Sequence, residues 1–350
     1  MYYLMDKKNI QQATLKDVAN LAKVSIPTAS LVLSGKGHVA KKTREQVEAA
    51  ARTLGYERTI LQKKAIQEQL LSIGLLFNIS HAEDYNLKNF RQFLKETEKK
   101  VSAKKGSFLI IPHSEKVSDD KTINTIIKAR IKGILSFAYF NKQLFTKIEQ
   151  ANIPVVVFNN QQSHNIFISV VLDDFQATYE ATRYLINLGH RNILYAYTNR
   201  PNIPYLKHNR FFGHQKALEE ANIPFNENMV LFYSTETIDE TATALLSLLC
   251  KKPKPTAVVC LDDDIASGLE FILRKHGMGV PKDLSLIAHG DLLDYSLIQT
   301  PRITTMRLDP STAAQVTIDL LFACLVNGER SIKTIKIQEH LIERSSCRSI

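Results

Sequence analysis

Paired cysteines are missing from this sequence. Its four, Cys250, Cys260, Cys324 and Cys347, are far apart, with no C-x-x-C pair and no cysteine–histidine group at zinc spacing. They read as reduced thiols of a cytoplasmic protein, and a zinc module is excluded. Long apolar runs are missing too. None approaches the ~18 residues of a membrane helix. The N-terminus, MYYLMDKKN, has no apolar stretch for a signal peptide. The expectation is a cytoplasmic protein without a membrane partner. Catalytic motifs are also absent: there is no G-x-S-x-G elbow, no Walker A loop and no H-E-x-x-H. The acid pairs Asp173–Asp174 and Asp262–Asp263 are adjacent, not spaced across a substrate. Strand-end acids of this kind serve as helix N-caps. No enzyme, cofactor or metal is expected.

What is present is a localised excess of positive charge. The chain has 350 residues and a formal charge of +10. Residues 1 to 70 hold 12 Lys and Arg against 6 Asp and Glu, so a fifth of the chain carries most of the excess. That asymmetry suits a nucleic-acid-binding head on a near-neutral body. The head is legible in TLKDVANLAKVSIPTASLVL, residues 14 to 33. Thr14 and Asp17 make a capping box, and Leu15, Val18, Ala19 and Ala22 form an apolar helical stripe. Ser25 is a second N-cap, with Pro27 in the first turn. Ala29, Val32 and Leu33 turn inward, which leaves Ile26, Pro27, Ser30, Leu31 and Ser34 outside. A third helix buries Val47, Ala50, Ala51 and Leu54, and Gly55 stops it. Three small helices with basic residues outside suggest a helix-turn-helix unit.

This stretch, followed by HVAKKTREQVEAAARTLGY at 38 to 56, resembles the DNA-binding head of the LacI/GalR family of bacterial transcription regulators. The family pattern is T-L-x-D-V-A-x-x-A-G-V-S-x-x-T-V-S-x-V-L. One departure is Lys23, where the family places Gly. A residue there at positive φ is mildly strained. The next segment, 57 to 70, resembles the family's hinge helix, Y-x-P-N-x-x-A-x-x-L. There Arg58, Thr59, Gln62 and Ala65 replace the Pro, Asn, Ala and Leu. Ala65 is too short to be a good minor-groove wedge.

From residue 72 short apolar runs alternate with amphipathic helical stretches, which implies parallel, doubly wound sheets. Patches such as DDFQATYEATRYLINLGHRNI, RFFGHQKAL and HLIERSS resemble the periplasmic-binding-protein-like body of the same family. The expected fold is α/β: a helix-turn-helix head and a two-lobed body. The expected domains are a head at 1–60 and a hinge at 61–71. An N-terminal lobe takes 72–172 with 305–332, and a C-terminal lobe takes 173–304 with 333–350. Lobe crossings are expected near 172, 305 and 335.

The resemblance implies DNA contact at Thr14, Leu15, Ser25, Ile26, Pro27, Thr28, Ser30, Leu31, Ser34, His38 and Thr43. Of the positions that read base edges, Ile26, Pro27 and Leu31 have no side-chain hydrogen-bonding group. For the effector it implies Arg210, three residues before Gly213, with Asp262 and Asn159. A guanidinium fork suits sugar hydroxyls or a carboxylate. The family's G-[YF]-D-[DN] is here Ala288, His289, Gly290 and Asp291, so Gly290 stands in place of a ligand-gripping Asp. The function that follows is a homodimeric, ligand-responsive repressor. Its partners are an operator DNA and a small-molecule effector such as a sugar. The alternative is a cytoplasmic small-molecule-binding protein with weakened DNA specificity.

Overall fold

The computed structural model describes residues 13–34, 39–54, 56, 71–79, 87–198, 204–293, 295 and 301–350. The chain divides into two compact units, Met1–Leu71 and Ser72–Ile350. His38, Gly55 and the hinge substitutions at 58, 59, 62 and 65 lie outside the described residues.

The first unit holds α1 (Leu15–Leu21), α2 (Ile26–Ser34) and α3 (Lys41–Thr53). The capping box forms as the spacing requires: the Asp17 N–H donates to Thr14 Oγ1, and the Thr14 N–H donates to Asp17 Oδ2 at 2.8 Å. Those bonds hold the Asp17 carboxyl below its ordinary range. We expect Thr14→Ala to cost the head about 1 kcal/mol, by loss of an N-cap. Thermal unfolding of the head helices checks this, and an unchanged midpoint would show the cap to be redundant. The turn after α1 puts Lys23 at φ 54, the left-handed region that glycine favours. Val18, Ala19, Ala22, Ala29, Val32, Val47, Ala50 and Ala51 form the core.

The second unit contains two six-stranded sheets. The first is built from β1 (Ser72–Asn78), β2 (Ser107–His113), β3 (Gly133–Phe137), β4 (Val155–Phe158), β5 (Ile168–Leu172) and β11 (Thr334–Ile337). Its order is β11-β5-β4-β3-β1-β2, and every pairing is parallel. Helices α4 (Leu87–Ala103) and α11 (Pro310–Asn327) supply Phe93, Val101, Ile318 and Leu321 to one core layer. Helices α5 (Asp119–Lys128) and α6 (Lys142–Gln150) supply Ile126, Leu144, Phe145 and Ile148 to another. Buried strands of this kind read as continuous Val, Ile and Leu runs because both faces are covered.

The second sheet is built from β6 (Ile193–Tyr197), β7 (Val230–Phe232), β8 (Ala257–Cys260), β9 (Ser285–His289), β10 (Thr304–Arg307) and β12 (His340–Ile342). Its order is β12-β10-β9-β8-β6-β7, and only β12 runs antiparallel, against β10. Helices α7 (Asp174–Asn187), α8 (Pro204–Glu220), α9 (Ile238–Cys250) and α10 (Asp263–Lys275) complete this lobe.

The chain passes between the sheets after β5, after β10 and after β11. The second and third passages differ from the expectation: residues 304–307 pair with β9 and β12 in the second sheet, so the second passage falls at 308–309 and 305–307 belong to the C-terminal lobe. Residues 334–337 pair with β5 in the first sheet, so the third passage falls at 338–339 and the stretch 333–337 belongs to the N-terminal lobe. Backbone pairing decides the matter. Strand β11 is short and half-exposed, and carries Lys336, so its apolar pattern alone is weak.

Candidate functional site

In each sheet the strand order reverses once, between β1 and β3 in the first and between β6 and β8 in the second. In open α/β sheets such switch points, at the carboxyl ends of the strands, are where ligands lie. Leu261 and Asp262 follow β8 directly at the second switch point. Arg210 joins them there, because its Nη1 donates to the Leu261 carbonyl.

Arg210 reaches that point because α8 lies very close to α7. A Cβ at Gly213 would stand 2.2 Å from the Phe175 carbonyl oxygen, so only glycine allows this approach. Arg210 is 6% exposed, and the acids facing it, Asp174 and Glu339, are 3% and 4% exposed. Arg210 Nε donates to Asp174 Oδ1 at 2.9 Å, and Nη2 lies 3.6 Å from Glu339 Oε1. Glu339 Oε2 is 2.9 Å from His289 Nδ1, and His289 Nε2 is 3.1 Å from Thr178 Oγ1.

The electrostatics follow from burial. Desolvation lifts the Asp174 carboxyl to about 6, against the pull of Arg210. Desolvation also opposes the charge on Arg210, but the two carboxylates outweigh it and hold its pKa above the usual value. Burial likewise acts on Glu339, yet the His289 hydrogen bond and Arg210 keep its carboxyl below the ordinary range. His289 is pushed down by burial and by Arg210, so its imidazole is neutral. The bond to Glu339 then assigns its proton to Nδ1 and leaves Nε2 as an acceptor facing the Thr178 hydroxyl.

Asp262 caps α10, accepting from the Ile265 N–H at 3.0 Å. Its neighbour Asp263 accepts from Thr305 Oγ1 at 3.1 Å and from the Leu292 N–H at 2.6 Å. Asp291, beside the missing ligand carboxylate, pairs with Arg307 and Arg344. Gly290 between them sits at φ 122, a conformation that bars an aspartate. Asn159 lies in the other sheet, at φ 57 just after β4. Its N–H donates to the Val170 carbonyl at 2.8 Å. The structure thus brings Arg210 and Asp262 to one switch point, with Asn159 at a strand end of the other lobe. Asp174, Glu339 and Gln161, whose side-chain amide donates to the Leu172 carbonyl at 3.0 Å, were not legible as site residues.

In the head, Ile26, Pro27, Ser30 and Leu31 are exposed on one side of α2. Thr14 and Ser25 form the caps that the sequence predicts. Thr14 Oγ1 donates to Asp17 at 2.6 Å, and Ser25 and Thr28 share a 2.8 Å hydrogen bond. These three hydroxyls are therefore engaged in local caps. Leu15 is half-buried against the head core, and Thr43 is half-buried in the first turn of α3. Ser34 ends α2. Lys16, Lys41, Lys42 and Arg44 make no ion pair among the described residues.

Residues 14–59 match the family described as bacterial regulatory proteins, lacI family, and residues 182–347 match a periplasmic binding protein-like domain. The chain is similar to the HTH-type transcriptional repressor PurR of Pectobacterium atrosepticum, at 30% identity over 95% of this chain and 96% of that protein. It is also similar to the HTH-type transcriptional regulator RegA of Clostridium acetobutylicum, at 29% identity over 96% and 99%. In fold it is similar to the lac repressor dimer bound to operator and the anti-inducer ONPF. There the TM-score is 0.62 at 21% identity, over 97% of this chain and 100% of that one. Among the described residues no helix is long and apolar enough to cross a membrane. An identity of 30% with PurR, held across nearly the full length of both chains, places this chain in the LacI family of bacterial regulatory proteins, as a DNA-binding transcription regulator.

Proposed function

We propose that this regulator acts in the cytoplasm as a homodimeric repressor, setting two heads on a pseudo-palindromic operator. A small molecule held between the lobes would shift the balance between two states of the dimer, and with it the affinity for DNA. The observation that carries this reading is the exposed outer face of α2, beside basic residues that have no acidic partner among the described residues. The lac repressor, similar in fold, is a dimer on its operator. The edge strand β2 leaves Leu109 and Ile110 exposed, which suits cover by a second copy. In this reading Ser30 on the face, and Thr43 at the start of α3, would touch DNA. Ile26, Pro27 and Leu31 would touch thymine methyls.

Most of the affinity then comes from phosphate neutralisation. With 6–10 phosphates contacted, binding should weaken roughly 10³- to 10⁵-fold between 50 and 200 mM salt. Fluorescence anisotropy on random duplexes reads that slope. Absence of binding even at low salt would leave the alternative, a small-molecule-binding protein that no longer holds DNA. That alternative draws on the lack of hydrogen-bonding side chains at Ile26, Pro27 and Leu31. For the repressor, a selection on randomised duplexes should return an A·T-rich half-site. A G·C-dominated half-site read at high stringency would contradict this account of α2. For the effector, Arg210 supplies donors from one lobe, with Asp262 beside it and Asn159 from the other lobe.

A further inference from the structure

We propose that the body carries a second DNA-contacting surface, the rim at the amino end of the first sheet, where Lys105, Lys128, Arg130 and Lys132 hold phosphates of the duplex that the head engages. The inference rests on the DNA-binding reading above and is independent of what the effector is.

The rim is assembled by the register of three neighbouring strands. β1, β2 and β3 start side by side, since Ser72 pairs with Ser107 and Ile73 with Gly133. The corner before β2 carries Lys105, and the corner before β3 carries Lys128, Arg130 and Lys132. The chain enters this lobe at the same place. The Lys132 N–H donates to the Ser72 carbonyl at 2.7 Å, so the rim lies beside the first residue after the head's own unit. The segment 57–71 reaches at most ~50 Å when fully extended. DNA held by the head is therefore tethered to this rim, at an effective concentration that a weak phosphate contact can use.

All four cations are exposed and make no ion pair among the described residues. Their neighbours differ: Lys104 pairs with Asp319, and Lys333 with Glu329. The stretch from Lys128 to Lys132 holds three cations and no acid. An unopposed cluster of this kind repels itself, and backbone phosphates are a partner that relieves it. Two of the four also occupy unfavourable backbone. Lys105 and Arg130 sit at φ 58 and φ 54, where a helix gives way to a strand. Glycine or asparagine takes that conformation at less cost, and Asn152 and Asn222 do so at the corners after α6 and α8. The dipole of α5 favours Lys128 and Arg130 near its end, but not Lys132 beyond it. Phosphate contact accounts for all four.

The test compares two triple variants of the full chain. One neutralises the rim, with Lys105→Gln, Lys128→Gln and Lys132→Gln. The other removes the same charge from the second lobe, with Lys251→Gln, Lys252→Gln and Lys254→Gln, which are also exposed. Fluorescence anisotropy reads binding to a random duplex of about 40 base pairs, longer than two half-sites one turn apart, between about 50 and 200 mM salt. Each cation that meets a phosphate adds about 0.9 to the log–log salt slope. The rim variant should therefore have a slope shallower than the wild type by about 2–3, and should bind at least about tenfold more weakly at the low end of that range. The second-lobe variant should keep the wild-type slope. Thermal midpoints of the three proteins should agree, because the replaced lysines have no ion partner among the described residues. A rim variant whose slope matches that of the second-lobe variant would overturn the proposal and leave the head's DNA binding standing. A wild type that binds no duplex at low salt would overturn both.

Discussion

Replacing Arg210 by alanine should destabilise the second unit by about 3–5 kcal/mol, the cost of leaving a buried partner unpaired. The mutation strands two carboxylates that are almost wholly buried, Asp174 and Glu339. The loss should depend on pH in a definite direction. With Arg210 present, the Asp174 carboxyl already sits at about 6, above its ordinary 3.8. Removing the cation raises it further. A raised folded-state value favours the folded protein at low pH, and that advantage fades as pH rises through the raised value. The variant should therefore lag the wild type least near pH 5 and most near pH 8. Denaturant unfolding at several pH values tests this. A pH-independent loss would mean that packing, and not charge, is what Arg210 supplies. An arginine that only gripped a ligand could be truncated with the fold intact, and its burial between two acids is what sets Arg210 apart.

Gly213→Ala should be nearly as costly, at about 3 kcal/mol, the upper end for forcing an extra carbon into a packed interior. The added Cβ would stand 2.2 Å from the Phe175 carbonyl oxygen and 3.0 Å from the Tyr179 nitrogen. Both are backbone atoms, so no side-chain rotation relieves the clash. Helices α7 and α8 would have to separate, and Arg210, one turn earlier on α8, would withdraw from Asp174. A lower urea midpoint with an unchanged slope is the expected result. An unaltered midpoint would mean that the helix pair is more compliant than its spacing implies.

The local features were the legible ones. The Thr14–Asp17 box, the inward face of α2 and the strained Lys23 all follow from residues within one or two turns of each other. The alternation of apolar runs with helices announced the two parallel sheets. The Arg210 cluster was not legible as a cluster. Its members are far apart in the chain, Asp174 and Glu339 most of all, and no spacing rule links an acid after β5 to one after β11. Adjacent acids looked like caps, and Asp173 and Asp262 are caps. Asp174 and Asp263, one residue later in each case, turn inward and are buried. The strand β11 was misplaced for a related reason. Its lobe is fixed by hydrogen bonding to β5, a partner 165 residues away for the pair Ser169 and Thr334.

The placing of β11 and β12 has a consequence for how the chain is made. Each sheet receives one strand from the short stretch 334–342, β11 in the first and β12 in the second. Beyond both strands, the Ile350 N–H donates to the Leu188 carbonyl at 2.9 Å. While the chain is being synthesised, neither lobe can complete its sheet until its C-terminal strand has left the ribosome. The N-terminal lobe, though mostly encoded first, must wait with the flank of β5 unpaired through synthesis of the whole C-terminal lobe. Long-range closure of this kind slows folding and leaves a strand edge open to wrong partners. The head, whose core is drawn from residues within 15–56 alone, carries no such delay.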